Sequence, residues 1–178
     1  MAIPKKVLTY LDKNSVKYDI VEHRKVFTAY DAAATLHVKV SQIAKNLLVK
    51  AGSEFVLAVV PASHNIDFVK LAKVAGVKKV TLPKEGIVTS KFKVKPGALP
   101  GFGGLYKIPV YVDKQLTKEK QIIISSGSYT ESIVMKLSDY LKLEQAELGV
   151  FSLARKVKKV KVRKPKAKAA TAKKRKKK

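Results

Sequence analysis

Residues 44–62 read AKNLLVKAGSEFVLAVVPA, which is two apolar runs on either side of the turn-forming AGSE. Two apolar runs joined by a short turn are typical of a β-hairpin whose strands are both buried. The Val- and Ile-rich segments KIPVYVD at 107–113 and QIIISSG at 121–127 predict two more strands. VKYDIVEH at 16–23 alternates as a strand does, and SIVMKL at 132–137 predicts another strand.

Helical patterns lie between these strands. The segment from Pro4 to Lys13 places Val7, Leu8 and Leu11 on one helix face. Three further segments predict short helices: TAYDAAATL at 28–36, which begins with a capping-box-like Thr28 and Asp31, the segment from Asp67 to Ala75, which ends at Gly76, and SDYLKL at 138–143. Because helices and hairpins alternate within one unit, we predict an α/β fold with a mixed sheet.

The charge is unevenly distributed along the 178 residues, whose net charge is +25. From Arg155 onward, 15 of 24 residues are Lys or Arg and none is acidic. Such a segment cannot bury enough apolar surface to fold, so we expect one domain over 1–154 and a disordered basic tail over 155–178. We expect the tail to bind nucleic acid, the alternative being a solubilising or membrane-surface role, with the ligand pocket lying wholly before it. Its candidate contacts are Arg155, Lys156, Lys158, Lys159, Arg163 and Arg175.

The sequence lacks the motifs that several classes of catalytic and binding sites require. The three histidines, His23, His37 and His64, are far apart, and there is no cysteine, so we expect no metal site and no cofactor. No nucleophile elbow or Walker loop is present, and the serines at 125, 126 and 128 have no obvious paired base. The N-terminal segment has no apolar run that would serve as a signal peptide or membrane span. We therefore expect a soluble, cytoplasmic monomer.

The segment GALPGFGG at 97–104 holds four of the nine glycines of the chain. Two interpretations are open from the residues alone. The loop is either a hairpin connection with Phe102 packed in the core, or a wall that a ligand approaches closely. Glycine serves both, because it adopts positive φ and leaves room for a neighbouring backbone.

Four stretches, in this order, carry a resemblance to a known family: VEHRKVFTAYDAAATL, QIAKNLLVK, KPGALPGFGGLYKIPVYVD and IIISSGSYTESIVMKLSDYLKL. From His23 to about Leu143 the chain resembles the YbaK-like aminoacyl-tRNA deacylases, the editing domain also found within or beside bacterial prolyl-tRNA synthetases. The resemblance implies a largely antiparallel, curved sheet flanked by helices. Many members read Asn-Ala-Gly-Ser-His where this chain reads SSGSY at 125–129, so the preferred amino acid is left open.

The resemblance also implies an activity. The chain would be a metal-independent hydrolase that removes a small, wrongly attached amino acid from the 3′ end of a tRNA. Water would attack the ester without a covalent intermediate, assisted by the substrate's own 2′-hydroxyl. The implied partners are tRNA, aided by the basic tail, and an aminoacyl-tRNA synthetase as a second candidate. The alternative from a different class is a non-catalytic RNA-binding or nucleic-acid-associated basic protein.

The resemblance assigns roles to individual residues. Lys45 would bind the terminal nucleotide and stabilise an oxyanion, and the backbones of Gly97 and Gly101 would donate to the ester carbonyl. The implied substrate contacts are His23, Pro100, Phe102, Gly103, Ser126 and Gly127, with Thr130 and Glu131 in support and Tyr30 and Asp31 near the pocket. Plainer interpretations also stand: Lys45 as a solvated lysine, His23 as a structural hydrogen-bonding group, and residues 126–127 as a strand end.

Overall fold

The computed structural model describes residues 2–93 and 97–155, in which a mixed sheet is flanked by helices. The helices are α1 (Lys5–Lys13), α2 (Ala29–Leu36), α3 (Phe68–Val74), α4 (Glu85–Phe92) and α5 (Leu137–Glu144). The strands are β1 (Tyr18–Glu22), β2 (Ile43–Ala51), β3 (Glu54–Pro61), β4 (His64–Ile66), β5 (Val80–Thr81), β6 (Val110–Asp113), β7 (Gln121–Ser125), β8 (Glu131–Lys136), β9 (Glu147–Gly149) and β10 (Ser152–Ala154).

The predicted hairpin lies at the centre of the main sheet. The strand order is β1-β8-β7-β2-β3-β6-β9, and β5 pairs with β2 beside this path. The pairs β2–β7, β3–β6 and β6–β9 are parallel. The other pairs are antiparallel, including the small sheet formed by β10 and β4. The prediction of a mixed, largely antiparallel sheet in an α/β domain is confirmed.

Both faces of β3 are buried, which explains why its residues 55–60 are apolar throughout rather than alternating. Leu57 and Val59 of β3 face a core shared with α1 and α5. Val56, Ala58 and Val60 of the same strand face a second core, shared with α3. A third, smaller cluster joins Ala32 and Ala33 of α2 to residues of β2 and β7. The site described below lies beside this third cluster.

Two of the predicted helix starts have the expected side-chain caps. The Thr28 hydroxyl accepts a hydrogen bond from the Asp31 N–H at 3.1 Å, and α2 follows directly. The Asp67 carboxylate accepts from the N–H groups of Val69 and Lys70 at the start of α3. These bonds satisfy backbone donors that the first helical turn leaves without intrahelical partners. The cap at Thr28 matters for function because α2 forms one wall of the site.

The end of the described chain folds back onto the domain. Phe151 is fully buried in the second core, and its N–H donates to the buried carboxylate of Asp113 at 2.7 Å. Strand β10 then pairs with β4, and the Arg155 N–H donates to the Ser63 carbonyl at 2.9 Å. Arg155 is therefore attached to the folded domain, whereas residues 156–178 lie outside the described part of the chain.

Candidate active site

A cavity of about 330 Å³ opens between the start of α2 and the ends of β2, β7 and β8. This volume is at the lower end of the range for small-molecule sites. Its lining is formed by His23, Val26, Phe27, Thr28, Ala29, Tyr30, Ala32, Ile43, Ala44, Lys45, Asn46, Gly97, Ile123, Ile124, Ser125, Ser128, Tyr129, Ser132 and Arg155. Of the residues predicted from sequence, Lys45, His23, Gly97, Tyr30 and Arg155 are brought together here.

Lys45 projects into this cavity from the third position of β2. It is half-buried, and its ammonium donates a hydrogen bond to the carbonyl of His64 at 2.7 Å. Burial is the main reason that the pKa of Lys45 lies below its ordinary value, and the positive charge of Arg155 lowers it further. An ammonium carries three N–H donors, so Lys45 has two beyond the one that His64 anchors. The plainer interpretation of Lys45 as a solvated surface lysine is wrong.

Arg155 corrects the expectation that the pocket lies wholly before the basic tail. Its side chain lines the cavity, and its guanidinium lies 4.8 Å from the centre of the Tyr30 ring. The composition of 155–178 concealed this position, because it depends on the pairing of β10 with β4. The other predicted tail contacts, Lys156, Lys158, Lys159, Arg163 and Arg175, lie outside the described residues.

His23 is fixed by both of its ring nitrogens. Nδ1 lies 2.9 Å from the Arg24 carbonyl, and Nε2 lies 2.9 Å from the Ser132 hydroxyl. A carbonyl only accepts, so Nδ1 carries a proton, and in the neutral imidazole Nε2 accepts from Ser132. The arrangement combines a structural hydrogen bond with a hydroxyl–imidazole pair that faces the cavity.

Sequence reasoning did not single out Ser132. It faces Ser125 across the β7–β8 pair, and both side chains line the cavity. The available signal was a serine at the start of the otherwise apolar run SIVM in β8. Asn46 was also missed: its amide donates to the Leu99 carbonyl at 2.9 Å, which fixes the glycine loop beside Lys45.

The serine-rich turn after β7 is held by its own hydrogen bonds. The Ser126 hydroxyl is fully buried, donates to the Glu131 carbonyl at 2.6 Å and accepts from the Ser128 N–H at 3.2 Å. Ser126 therefore shapes the turn, and the expectation of a substrate contact through its hydroxyl is corrected. Glu131 also accepts from the Ile3 N–H at 3.0 Å, and Thr130 contacts Ser128, so both support the turn as expected.

The glycine loop is mostly a packing element, which corrects the roles expected for Gly101, Phe102 and Gly103. The Gly101 N–H donates to the Ser125 carbonyl at 2.9 Å, so this donor is already used. A side chain at Gly101 would overlap Ile124, and one at Gly103 would overlap Val110. Phe102 is fully buried between Tyr10 and Tyr140. For these three residues the interpretation with Phe102 packed in the core describes the structure, although the loop joins α4 to β6 and is not a hairpin connection.

Pro100 and Gly127, both expected to contact substrate, lie close to each other and do not line the cavity. Gly127 has a φ of +90°, and a Cβ there would lie 2.9 Å from the Pro100 ring. Their close approach joins the glycine loop to the serine-rich turn. Both residues therefore hold in place the backbone segments that form the site. Gly97, with a φ of +73°, does line the cavity, and it also borders a second cavity of about 300 Å³ near α4.

A buried carboxylate anchors the other end of the loop. Glu144 accepts from the Gly104 N–H at 2.7 Å and from the Tyr10 hydroxyl at 3.2 Å. Burial raises the pKa of Glu144, and the hydrogen bonds from Gly104 and Tyr10 counteract part of that effect. The loop is thus fixed at Leu99 by a side chain of β2, and at Gly101 and Gly104 by two side chains of α5.

Residues 2–93 and 97–155 bear on two kinds of feature, metal sites and membrane-spanning helices. No three His, Asp or Glu side chains in this part of the chain come together as a metal site would require. No helix within the same ranges is long and apolar enough to cross a membrane.

These features define an editing domain. The chain belongs to the aminoacyl-tRNA editing domain family, whose model matches residues 23–143. That range contains both strands of the central hairpin, Lys45, His23 and the whole glycine loop. The resemblance inferred from the four sequence stretches is confirmed.

Individual relatives have names that describe tRNA editing or deacylation. The chain is 24% identical to the prolyl-tRNA editing protein ProX of Acetoanaerobium sticklandii, covering 82% of this chain and 92% of that protein. It is also 24% identical to the multifunctional Ser/Thr-tRNA deacylase ProXp-y of Escherichia coli strain K12, covering 82% and 90%. A crystal structure of a candidate trans-editing enzyme for prolyl tRNA synthetase has the same fold, with a TM-score of 0.74 at 20% identity over 84% of this chain and 96% of that one.

Proposed function

We propose that this chain hydrolyses the ester bond of mischarged aminoacyl-tRNA. The observation that carries the proposal is the position of Lys45, a half-buried ammonium held by the His64 carbonyl inside the cavity of an editing domain. Cations are well suited to bind a phosphate or to stabilise the negative charge that develops on an ester carbonyl. A position inside a cavity, rather than on an open surface, favours a site that receives the end of a substrate over a surface that only binds RNA.

The reaction needs little chemistry from the protein. Water adds to the ester carbonyl, the bond to the ribose oxygen breaks, and the free amino acid and the tRNA 3′-hydroxyl are released. The substrate's 2′-hydroxyl assists the proton transfers, as the family resemblance implies. The protein supplies orientation, exclusion of water and a positive charge near the developing oxyanion. Lys45 provides that charge, and Arg155 adds a second cation at the same cavity.

The cavity favours a small amino acid on the tRNA 3′ end. Its volume of about 330 Å³ must accommodate the aminoacyl group together with part of the terminal ribose. Size exclusion rejects larger side chains but separates close homologues poorly, by roughly 10–200-fold per methylene. The named activities of ProX and ProXp-y, which concern prolyl-tRNA editing and Ser/Thr-tRNA, support the same substrate class.

The partners follow from the same proposal. The basic tail from residue 155 assists tRNA binding by phosphate contacts, and the protein acts as a monomer. Matches to part of proline–tRNA ligases, such as 32% identity over 83 residues of the Thiobacillus denitrificans enzyme, support an association with a synthetase. The protein would act in the cytoplasm, where charged tRNA is used, and without a metal.

A panel of mischarged tRNAs tests the proposal. Each tRNA carries a radiolabelled Ala, Ser, Thr, Cys or Pro, and release of the label is followed with and without the protein. We expect accelerated release from at least one substrate, and the same rate after treatment with EDTA. Tight binding to the whole panel without any release would instead identify a non-catalytic RNA-binding protein.

A further inference from the structure

Two aromatic side chains stand together at the mouth of the cavity, and the chemistry proposed above does not use them. The ring centres of Phe27 and Tyr129 are 5.4 Å apart, and the rings are tilted by 54°. Phe27 is 65% exposed, although it borders the cavity. Much of its ring is therefore accessible to a ligand that binds at the cavity.

The backbone fixes where this pair lies. The N–H of His23 donates to the Thr130 carbonyl at 2.8 Å, and the N–H of Val26 donates to the Tyr129 carbonyl at 3.0 Å. Helix α2 then begins at the cap residue Thr28, directly after Phe27. Phe27 is thus held in place at both ends by its neighbours, so its position does not depend on burial of the ring.

The charges around the pair are positive. Lys25 Nζ lies 5.0 Å from the centre of the Phe27 ring and 5.9 Å from that of Tyr129. Lys45 and Arg155 line the same cavity. Exposed aromatic rings with cations nearby match a nucleotide, because the base stacks on a ring while phosphates attract the cations. A small amino acid side chain presents neither feature.

We propose that Phe27 and Tyr129 form a stacking platform for the terminal nucleobase of the tRNA, with Lys25 attracting the adjoining phosphates. This inference rests on the proposed function and adds a binding subsite to it. Stacking on an aromatic ring does not require reading of base edges, so the platform recognises an unpaired 3′ base as such. It would place the ester, one ribose away from that base, inside the cavity near Lys45.

A fluorescent base tests the platform directly. The probe is an uncharged RNA stem-loop that ends in CCA, with 2-aminopurine replacing the terminal adenine, because stacking quenches its fluorescence. We expect the full-length protein to quench the probe, and Phe27→Leu, which keeps apolar bulk but removes the ring, to lose most of the quenching and bind at least ~5-fold more weakly. Phe27→Trp should retain the quenching.

The matched control is Val69→Ala on α3, because Val69 is also largely exposed, at 69%, and does not line this cavity. We expect it to bind and quench as the wild type does. Removing the 3′ nucleotide from the RNA should weaken binding to the wild type and change binding to Phe27→Leu little. Equal quenching and affinity for wild type and Phe27→Leu would overturn the platform.

The mischarged-tRNA panel, run with the same proteins, separates the two proposals. Hydrolysis by the wild type without any Phe27-dependent quenching would overturn the platform and leave the editing function standing. Phe27-dependent quenching without hydrolysis of any substrate would overturn the editing function and leave a platform for unpaired RNA ends.

Discussion

Lys45 and Arg155 come from distant parts of the sequence, yet their charges act on each other at one cavity. The like charge and the burial both disfavour the ammonium form of Lys45, so its pKa lies below the ordinary 10.5. The cationic form that the proposed chemistry needs is therefore lost at a lower pH than for an exposed lysine. Activity that depends on Lys45 should decline with rising pH before 10.5 is reached.

Removing the charge of Arg155 should raise the pKa of Lys45 toward its ordinary value. We expect this shift in Arg155→Gln and a smaller one in Arg155→Lys, which keeps a positive charge at the position. The measurement is an NMR titration of the Lys45 side-chain ¹³Cε signal, assigned by its loss in Lys45→Ala. An unchanged or lowered pKa in Arg155→Gln would show that the two charges do not interact as the structure indicates.

Ser132 is the serine whose position most directly challenges a mechanism without a covalent intermediate, because it hydrogen-bonds His23 within the cavity. Paired hydroxyl and imidazole groups are a signature of nucleophilic catalysis. We nevertheless expect water to be the nucleophile. Ser132→Ala should lower deacylation by less than ~10-fold, since removing a true nucleophile typically costs ~10⁴-fold or more.

Acid quenching during turnover, followed by mass spectrometry of the intact protein, provides the decisive comparison. Wild type and Ser132→Ala should both show only the unmodified mass. A wild-type species heavier by one aminoacyl group, absent from Ser132→Ala, would establish an acyl-enzyme and refute the direct attack by water.

At the scale of elements, the glycine loop shows how long-range packing decides between interpretations that the sequence leaves open. Its residues contact Ile124 of β7, Tyr140 of α5 and Glu144, which are far away in the chain. The local sequence shows the glycines but does not show which distant residues they pack against. The prediction that Gly101 and Phe102 face a ligand therefore failed, whereas Gly97, at the open end of the loop, lines the cavity.

Gly101→Ala should destabilise the fold, because its added methyl group would overlap Ile124 in the main core. Overpacking of this kind typically costs about 1–3 kcal/mol. The control is Gly86→Ala in α4, where the new methyl group meets no atom within 4 Å. That change should raise the free energy of unfolding by up to about 1 kcal/mol, because alanine favours helix. Urea denaturation measures both, and equal stabilities would contradict the packing role of Gly101.

The elements that the sequence predicted are those with a strong local pattern. Helix α1, the β2–β3 hairpin, the capped helices α2 and α3, and strands β6 to β8 all match predicted segments. Helix α4 was missed because EGIVTSKF contains Gly and several β-branched residues, which favour helix weakly. Strands β4, β9 and β10 have three residues each, which is too few to show the alternating pattern of a strand. They form only by pairing with distant segments.

At the scale of the whole molecule, the main difference from the sequence prediction is the position of the boundary between domain and tail. The basic composition predicted a boundary before Arg155, but buried Phe151 and the β10–β4 pair hold Arg155 at the cavity. The tail therefore continues from the rim of the site. A tRNA whose 3′ end enters the cavity would place its acceptor phosphates near that point.

Removing residues 156–178 should weaken tRNA capture and leave the chemical step intact. We expect an unchanged kcat at saturating tRNA, a higher KM, and a shallower salt dependence of binding, by roughly 0.7–0.9 in the log–log slope for each lost phosphate contact. Full-length Arg155→Ala is the comparison, and it should lower kcat/KM even with the tail present. An unchanged KM and salt slope after truncation, or a sharp fall in kcat with binding preserved, would contradict this division of roles.

The central claim is that the cavity around Lys45 is the site of hydrolysis, and single-turnover deacylation of the best mischarged tRNA tests it most directly. The variants are Lys45→Ala and the control Lys50→Ala, which removes an exposed lysine from the same strand. We predict that Lys45→Ala remains folded and loses at least ~100-fold in rate, equivalent to about 2.7 kcal/mol of transition-state stabilisation, while Lys50→Ala retains the wild-type rate. A folded Lys45→Ala protein that deacylates at the wild-type rate would contradict the claim.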